Sequence, residues 1–144
     1  MLRSMIKCRR GAIAVEFALI APILAAMTIG LFEYFGATKQ AMQLENAARA
    51  GAQYAMSYPS DSTGIQQAIL GSGYVSSTGL STTVNQFCEC PDGTSVSCTG
   101  TCTGSALPNV YMQVSLSQPA QSILVASGVM SDYTVNGSAI MRVR

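Results

Sequence analysis

At 144 residues the chain has room for one domain and an appendage. Its 10% of charged residues falls well below the roughly 25% of an ordinary soluble domain, while 49% are hydrophobic. The net charge of +1 is uneven: Arg3, Lys7, Arg9 and Arg10 crowd the first ten positions, and from Gly11 onwards four basic residues face seven acidic ones, a balance of −3. A folded part without a basic surface argues against a nucleic-acid partner. The absence of His removes the commonest general base and metal ligand, so neither catalysis, a cofactor nor a metal is expected.

From Ala12 to Phe32 the chain reads AIAVEFALIAPILAAMTIGLF, 21 residues with Glu16 as the one charge. As a helix this run is about 31 Å long, close to the hydrocarbon thickness of a bilayer. It is too long for the apolar region of a secretory signal peptide, and no A-x-A cleavage signature follows it. The basic cluster before it and Glu33 after it orient the N-terminus to the cytoplasm, with the later residues outside. An intramembrane acid costs about 2.5 kcal/mol or more at the bilayer centre, and a plain anchor gives no reason for one. Just before the run, Arg9-Arg10-Gly11 reads as an unstructured, accessible stretch at the cytoplasmic face.

The string RRG-AIAVEF resembles the prepilin signal of type IV pili, most closely the tight-adherence (Flp/Tad) version. In that pattern a peptidase cuts after Gly, and the new chain carries Glu at its fifth position followed by an aromatic residue. Here the cut falls between Gly11 and Ala12, Glu16 is fifth and Phe17 sixth. With EFALIAPIL, GLFEYF and LENAARAGAQYA, the stretch from 11 to 55 resembles a TadE-like minor pilin or pseudopilin, and Ala139-Ile140-Met141-Arg142 resembles how such chains close. The resemblance implies processing by a prepilin peptidase, with Gly11, Ala12, Glu16 and Phe17 as substrate features. It also implies other pilin or pseudopilin subunits, an inner-membrane assembly platform and membrane lipid as partners. The implied location is the bacterial inner membrane with the C-terminal domain periplasmic, or the extracellular pilus itself.

Physical chemistry gives Glu16 a purpose within that reading. Cleavage frees an amine on Ala12, and residue i+4 lies one turn along the same helix face. In a low-dielectric medium a carboxylate and an amine, from one chain or from two, favour a paired state over a lone charge. Pro22 removes a backbone donor and crowds the carbonyl of Ala18, which predicts a kink.

Between Glu33 and Ser57 no Pro interrupts an Ala-rich stretch, so one helix is expected from about Ile13 to about Met56, ended by Pro59. Leu44, Ala47, Ala48, Gly51, Ala52 and Ala55 form a small-residue stripe on it. Packing against the protein's own domain is the simpler reading; an intersubunit seam is the alternative, and the two can occupy opposite flanks. Glu45 and Arg49 make an i, i+4 pair.

Residues 57–80 read as a connection with a short helix over Ile65–Leu70. Strands are expected over Thr82–Cys90 and Val110–Leu116, and Tyr133–Val135 and Ser138–Val143 flank Asn136-Gly137, a hairpin-turn signal. Gln118–Met130 is ambiguous between loop and short helix. These elements predict an α+β, pilin-like fold: a long transmembrane helix running into a small antiparallel sheet that uses the helix as its second layer. The expected divisions are a leader over 1–11, a membrane span over 12–32, an exported helix extension over 33–58 and an exported domain over 59–144.

Cys88, Cys90, Cys98 and Cys102 are spaced C-x-C-x7-C-x3-C, a partial fit to zinc ligation. In an exported loop an even count reads instead as two disulfides. Cys88 with Cys90 would close a very small ring, which leaves a nested pattern (88–102, 90–98) and an alternating one (88–98, 90–102), with the nested pattern slightly better suited to a hairpin-like loop. Cys8 lies in the leader and would leave with it. The leading expectation is a minor pilin or assembly pseudopilin. A membrane-anchored binding module acting through its disulfide loop is the alternative. A type II secretion pseudopilin fits less well, because Ala12 stands where an aromatic residue usually follows the cut.

Overall fold

The computed structural model describes residues 9–143. Met1–Cys8, with Arg3, Lys7 and Cys8, lie outside the described residues. The chain divides into two units, one ending at Gly36 and one starting at Ala37. The first helix, α1, runs over Arg9–Ser57 and passes through Pro22 without a break in assignment. It therefore starts earlier than expected: Arg9–Gly11 are already helical, and the Gly11–Ala12 peptide bond lies in the first turn rather than in an unstructured stretch. Intrahelical bonds are fewest in that turn.

In the unit up to Gly36, side chains from Ile13 onward are exposed, apart from the half-buried Ala21 and Glu33. Phe17 is 67% exposed and Phe32 75%. An apolar helix with no cover from its own chain requires an apolar medium from elsewhere, and α1 is the one described helix long and apolar enough to cross a membrane.

The unit from Ala37 carries the core. After α1 comes α2 (Ser62–Gly71), then β1 (Ser81–Glu89), β2 (Ser95–Val96), β3 (Asn109–Pro119), a short α3 (Ile123–Ala126) and β4 (Thr134–Arg142). The strands form one antiparallel sheet in the order β2-β1-β3-β4. Pro59 lies two residues past the end of α1, and Asp61 caps α2 by accepting from the Gly64 N–H at 2.9 Å. The period-2 pattern of β3 buries Val110, Met112, Val114, Leu116 and Gln118. That face packs with Val135 and Ala139 of β4, the small-residue stripe of α1, and Ile65 and Ile69 of α2. Leu44, Ala47, Ala48, Ala52 and Ala55 are all fully buried, so the stripe faces the protein's own sheet.

Two expectations change. Asn136-Gly137 is not a turn: β4 runs straight through it, paired with β3 as Asn136↔Ser117 and Gly137↔Leu116. The reason is closeness. A Cβ on Gly137 would lie 2.5 Å from the Glu45 amide nitrogen and 2.6 Å from the Leu44 carbonyl carbon, so the absent side chain admits the backbone of α1. On α1 itself, a Cβ on Gly51 would lie 2.6 Å from Cγ1 of Ile69, so the absent side chain there makes room for a side chain of α2. The ambiguous Gln118–Met130 stretch resolves into the end of β3, α3 and a loop.

Gly137→Ala should therefore destabilise the domain by about 1–3 kcal/mol, the range for overpacking against immovable backbone. Gly71→Ala, with open space around its Cβ, should be near neutral. Denaturant unfolding of the two variants against the parent checks the contrast.

Candidate functional site

The sequence-predicted site residues fall in two groups. Gly11, Ala12, Glu16, Phe17 and Pro22 all lie on α1, in the unit that ends at Gly36. Glu16 is exposed among exposed apolar neighbours, including Ile13, Val15, Phe17, Leu19 and Ile20. A carboxylate so placed is a strong handle in a low-dielectric medium, because any cation brought to it gains far more there than in water. Tyr34 and Phe35 meet edge to face at 6.3 Å just after the apolar run, where interfacial aromatics belong.

The second group is the cysteine loop. β1 and β2 pair as Cys88↔Val96 and Glu89↔Ser95, and the hairpin closes tightly over Pro91–Gly93, with the Cys90 N–H donating to the Thr94 carbonyl at 2.9 Å. Asp92 fastens the apex: its Oδ1 accepts from the Thr94 hydroxyl at 2.7 Å and from the Thr94 N–H at 3.0 Å. These two bonds, the hydroxyl first, hold its carboxyl below the usual aspartate range.

The disulfides join Cys88 to Cys98 and Cys90 to Cys102, with Cα separations of 5.1 and 5.7 Å. This is the alternating pattern, not the nested one that a simple hairpin favours. The turn after β2 explains it. The β2 ladder ends at Val96, opposite Cys88. The chain reverses at once over Ser97–Gly100, where the Gly100 N–H donates to the Ser97 carbonyl at 2.8 Å, so Cys98 within the turn bonds to Cys88 and Cys102 beyond it bonds to Cys90. All four thiols are consumed, and among the described residues no group of three or more His, Cys, Asp or Glu is arranged to hold a metal.

Two polar devices in the domain escaped the sequence reading. Gln40, 9% exposed, donates from Nε2 to the Pro119 carbonyl at 2.8 Å and accepts from the Gln121 N–H at 3.1 Å. Its place one turn before Leu44, in line with the small-residue stripe, was the available signal. At the other end of α1, the Tyr54 hydroxyl donates to Oδ2 of Asp61 at 2.9 Å, and the Tyr54 and Tyr58 rings lie 5.3 Å apart. The Gly64 N–H first, and the Tyr54 hydroxyl second, hold the Asp61 carboxyl below its ordinary value of 3.8. The same bond raises Tyr54 above 10.0. Glu45 and Arg49 pair at 2.6 Å on the exposed flank, as their spacing predicts.

On the outer side of the sheet, cross-strand rows of polar residues, such as Thr83, Ser115 and Ser138, give way to a stacked Phe87–Tyr111 pair at 5.3 Å near the cysteine loop. Among the described residues, none of these rows combines a nucleophile with a base.

The model of the TadE-like protein family matches residues 11–53. The matched segment begins at the proposed cut, includes Glu16, Phe17 and Pro22, and runs into the buried stripe through Ala52. No curated protein and no solved structure shows significant similarity to the chain.

Partial reduction with stepwise alkylation, read by fragment-ion sequencing, should release Cys88 together with Cys98 and Cys90 together with Cys102; a 90–98 or 88–102 pair would contradict this pattern. Asp61 has a depressed carboxyl, so its contribution to stability is complete above the ordinary aspartate value of 3.8 and is lost as pH falls through the folded value. The gap in melting temperature between the parent and Asp61→Ala should therefore be constant near neutral pH and narrow below 3.8.

Proposed function

We propose that this chain, TadE-like over residues 11–53, is a minor pilin or pseudopilin that takes part in assembling a tight-adherence pilus, at its initiation or its tip. The observation that carries the reading is the coincidence of the matched segment with an uncovered apolar helix bearing one charge, Glu16. TadE-like membership suggests association with a Tad pilus and a structural rather than enzymatic role. Other pilus components are then the partners, and the apolar helix suggests anchoring in a membrane.

In this reading a prepilin peptidase cuts between Gly11 and Ala12. The leader takes the basic cluster and Cys8 with it, and the remaining four cysteines are all paired. Glu16 then draws the new amine of Ala12, or that of a neighbouring subunit, into a pair that lipid alone does not satisfy. Pro22 supplies a bend where the helix passes from lipid to a bundle of its own kind, since neighbouring helices can satisfy the freed carbonyl. The inner membrane, with the domain on the periplasmic side, is the starting location, and the assembly platform is the machine that lifts the subunit out.

A second reading, a membrane-anchored binding module, is favoured by one observation. The disulfide loop leaves the sheet at the end opposite Gln40, and Leu107, between that loop and β3, is 67% exposed. The two readings part on processing and on the fraction in which the protein is found.

Intact-mass analysis should find a mature chain starting at Ala12 and lighter by four hydrogens than its reduced form, in membranes and in sheared pili. A mature chain that still starts at Met1 and is absent from pili would favour the binding module. Glu16→Ala should insert into the membrane normally yet lose most fibre formation. Unchanged fibre yield would sink the pairing argument.

A further inference from the structure

Strand β4 is an edge of the sheet, and among the described residues nothing pairs with its outer side. Its hydrogen-bonding direction can be read from the two ends of its ladder with β3. The Val143 N–H donates to the Val110 carbonyl at 2.8 Å, and the Ala120 N–H donates to the Tyr133 carbonyl at 2.9 Å. Both bonds extend the one-to-one register of β3 and β4. The odd positions of β4 therefore bond to β3, and the even ones turn their N–H and C=O groups outward. Those even positions are Thr134, Asn136, Ser138, Ile140 and Arg142, all exposed. Natural edges are blunted by Lys, by Pro or by a bulge. Across its nine residues β4 has none of these, and its one charge is at the last position.

The two ends of this edge carry opposite charges. Arg142 closes β4, and Asp132, exposed and next to Tyr133, continues the even series at the other end. They stand ten residues apart, about 33 Å along an extended strand, so they do not meet within one chain. Neither takes part in the ion pair found among the described residues, which is Glu45–Arg49. An antiparallel second copy of β4 brings each to the other. Outward groups must face outward groups, so even positions pair with even ones. With Arg142 opposite Asp132 of the second copy, Ile140 stands opposite Thr134 and Ser138 opposite Asn136. Ile140, 55% exposed, thereby gains a β-branched neighbour. Gly137 falls opposite its own counterpart in a non-bonded pair, where Cα atoms approach to about 4.5 Å and no side chain stands between them.

We propose that two copies of this chain join through β4, edge to edge and antiparallel about a twofold axis at Gly137, with Arg142 of each beside Asp132 of the other. The other edge of the sheet is a poor match for β4. There β2 covers β1 at Cys88 and Glu89, and the bond from the Cys90 N–H to the Thr94 carbonyl sets the even positions of β1 outward, which leaves Thr82, Val84 and Gln86. Both β1 and β4 run antiparallel to β3, so a head-to-tail contact between copies would be a parallel pairing confined to that short stretch. A foreign strand can use the same backbone groups, but the opposite charges of Asp132 and Arg142 fit this edge to itself. The joint lies wholly within the unit from Ala37 and does not depend on where α1 resides.

The test uses the full chain with Cys8→Ser, so that no free native thiol competes. Chains bearing Asn136→Cys and chains bearing Ser138→Cys are produced together, purified in detergent and mildly oxidised, and the new links are located by peptide sequencing. A bond from position 136 of one copy to position 138 of the other should form several-fold more readily than 136 to 136 or 138 to 138, with both native disulfides intact. Asp132→Arg sets like charges opposite each other and should lower the yield of that bond several-fold, and adding Arg142→Asp should restore it. Chains that stay monomeric, or that associate without the mixed bond, would overturn the proposal. A preference for 138 to 138 would overturn the register on which it stands. A link from position 136 to a different membrane protein, without the mixed bond, would give the edge to a foreign strand and overturn it as well.

Discussion

Between Leu44 and Ala55, α1 gives up side-chain volume so that a sheet can come close to its backbone, and the fold of the domain depends on that approach. Ala47, Ala48, Gly51 and Ala52 present almost no bulk, and Gly137 on β4 removes the last obstacle at the point where strand and helix backbones meet. Once helix and sheet are this close, Leu44, Met112, Val114 and Leu116 fill the gap, each contributing roughly 1.5–3 kcal/mol on burial. The α2 helix, started by Asp61 and held by Tyr54, lays Ile65 and Ile69 over the remaining side. The sheet has helices on one face only, and its other face is a polar surface ending in the Phe87–Tyr111 pair.

The same helix obeys a different rule before Gly36. There the apolar residues from Ile13 run all round, their side chains are exposed, and the run to Phe32 carries one charge, Glu16. A helix that is small-sided at one end and apolar on all sides at the other has two surroundings, one supplied by its own sheet and one by lipid or by other helices. That division matches the functional reading. The domain has its own core, whereas on the proposed reading the N-terminal part is the element that takes partners, and Glu16 is the group that would favour pairing there.

Much of this was legible in the sequence because the signals were local and periodic. The apolar run, the stripe from Leu44 to Ala55, the alternation in β3 and the short α2 each depend on neighbours within a turn or a strand. What escaped depended on distant partners. Asn136-Gly137 has the chemistry of a turn, but its glycine serves the approach of a helix some ninety positions earlier in the chain. The disulfide pattern followed from a two-residue strand, Ser95-Val96, too short to announce itself, and from the turn directly after it that holds Cys98. Gln40 looked like one more polar residue on a helix, and its partners at Pro119 and Gln121 are joined to it only by the fold. At the N-terminus, Arg9–Gly11 read as unstructured because Gly11 is a poor helix former, while the strong helix that follows extends back over them.

The central claim is that the chain from Ala37 holds a complete core while the chain before it requires an apolar medium. Density-gradient flotation with lipid vesicles tests this most directly, comparing the oxidised full chain with one that begins at Ala37. The account predicts that the full chain floats with the vesicles, whereas the shortened chain stays in the aqueous fractions and unfolds cooperatively with both disulfides intact. A shortened chain that unfolds without cooperativity, or a full chain that remains in the aqueous fractions as a monomer, would contradict it.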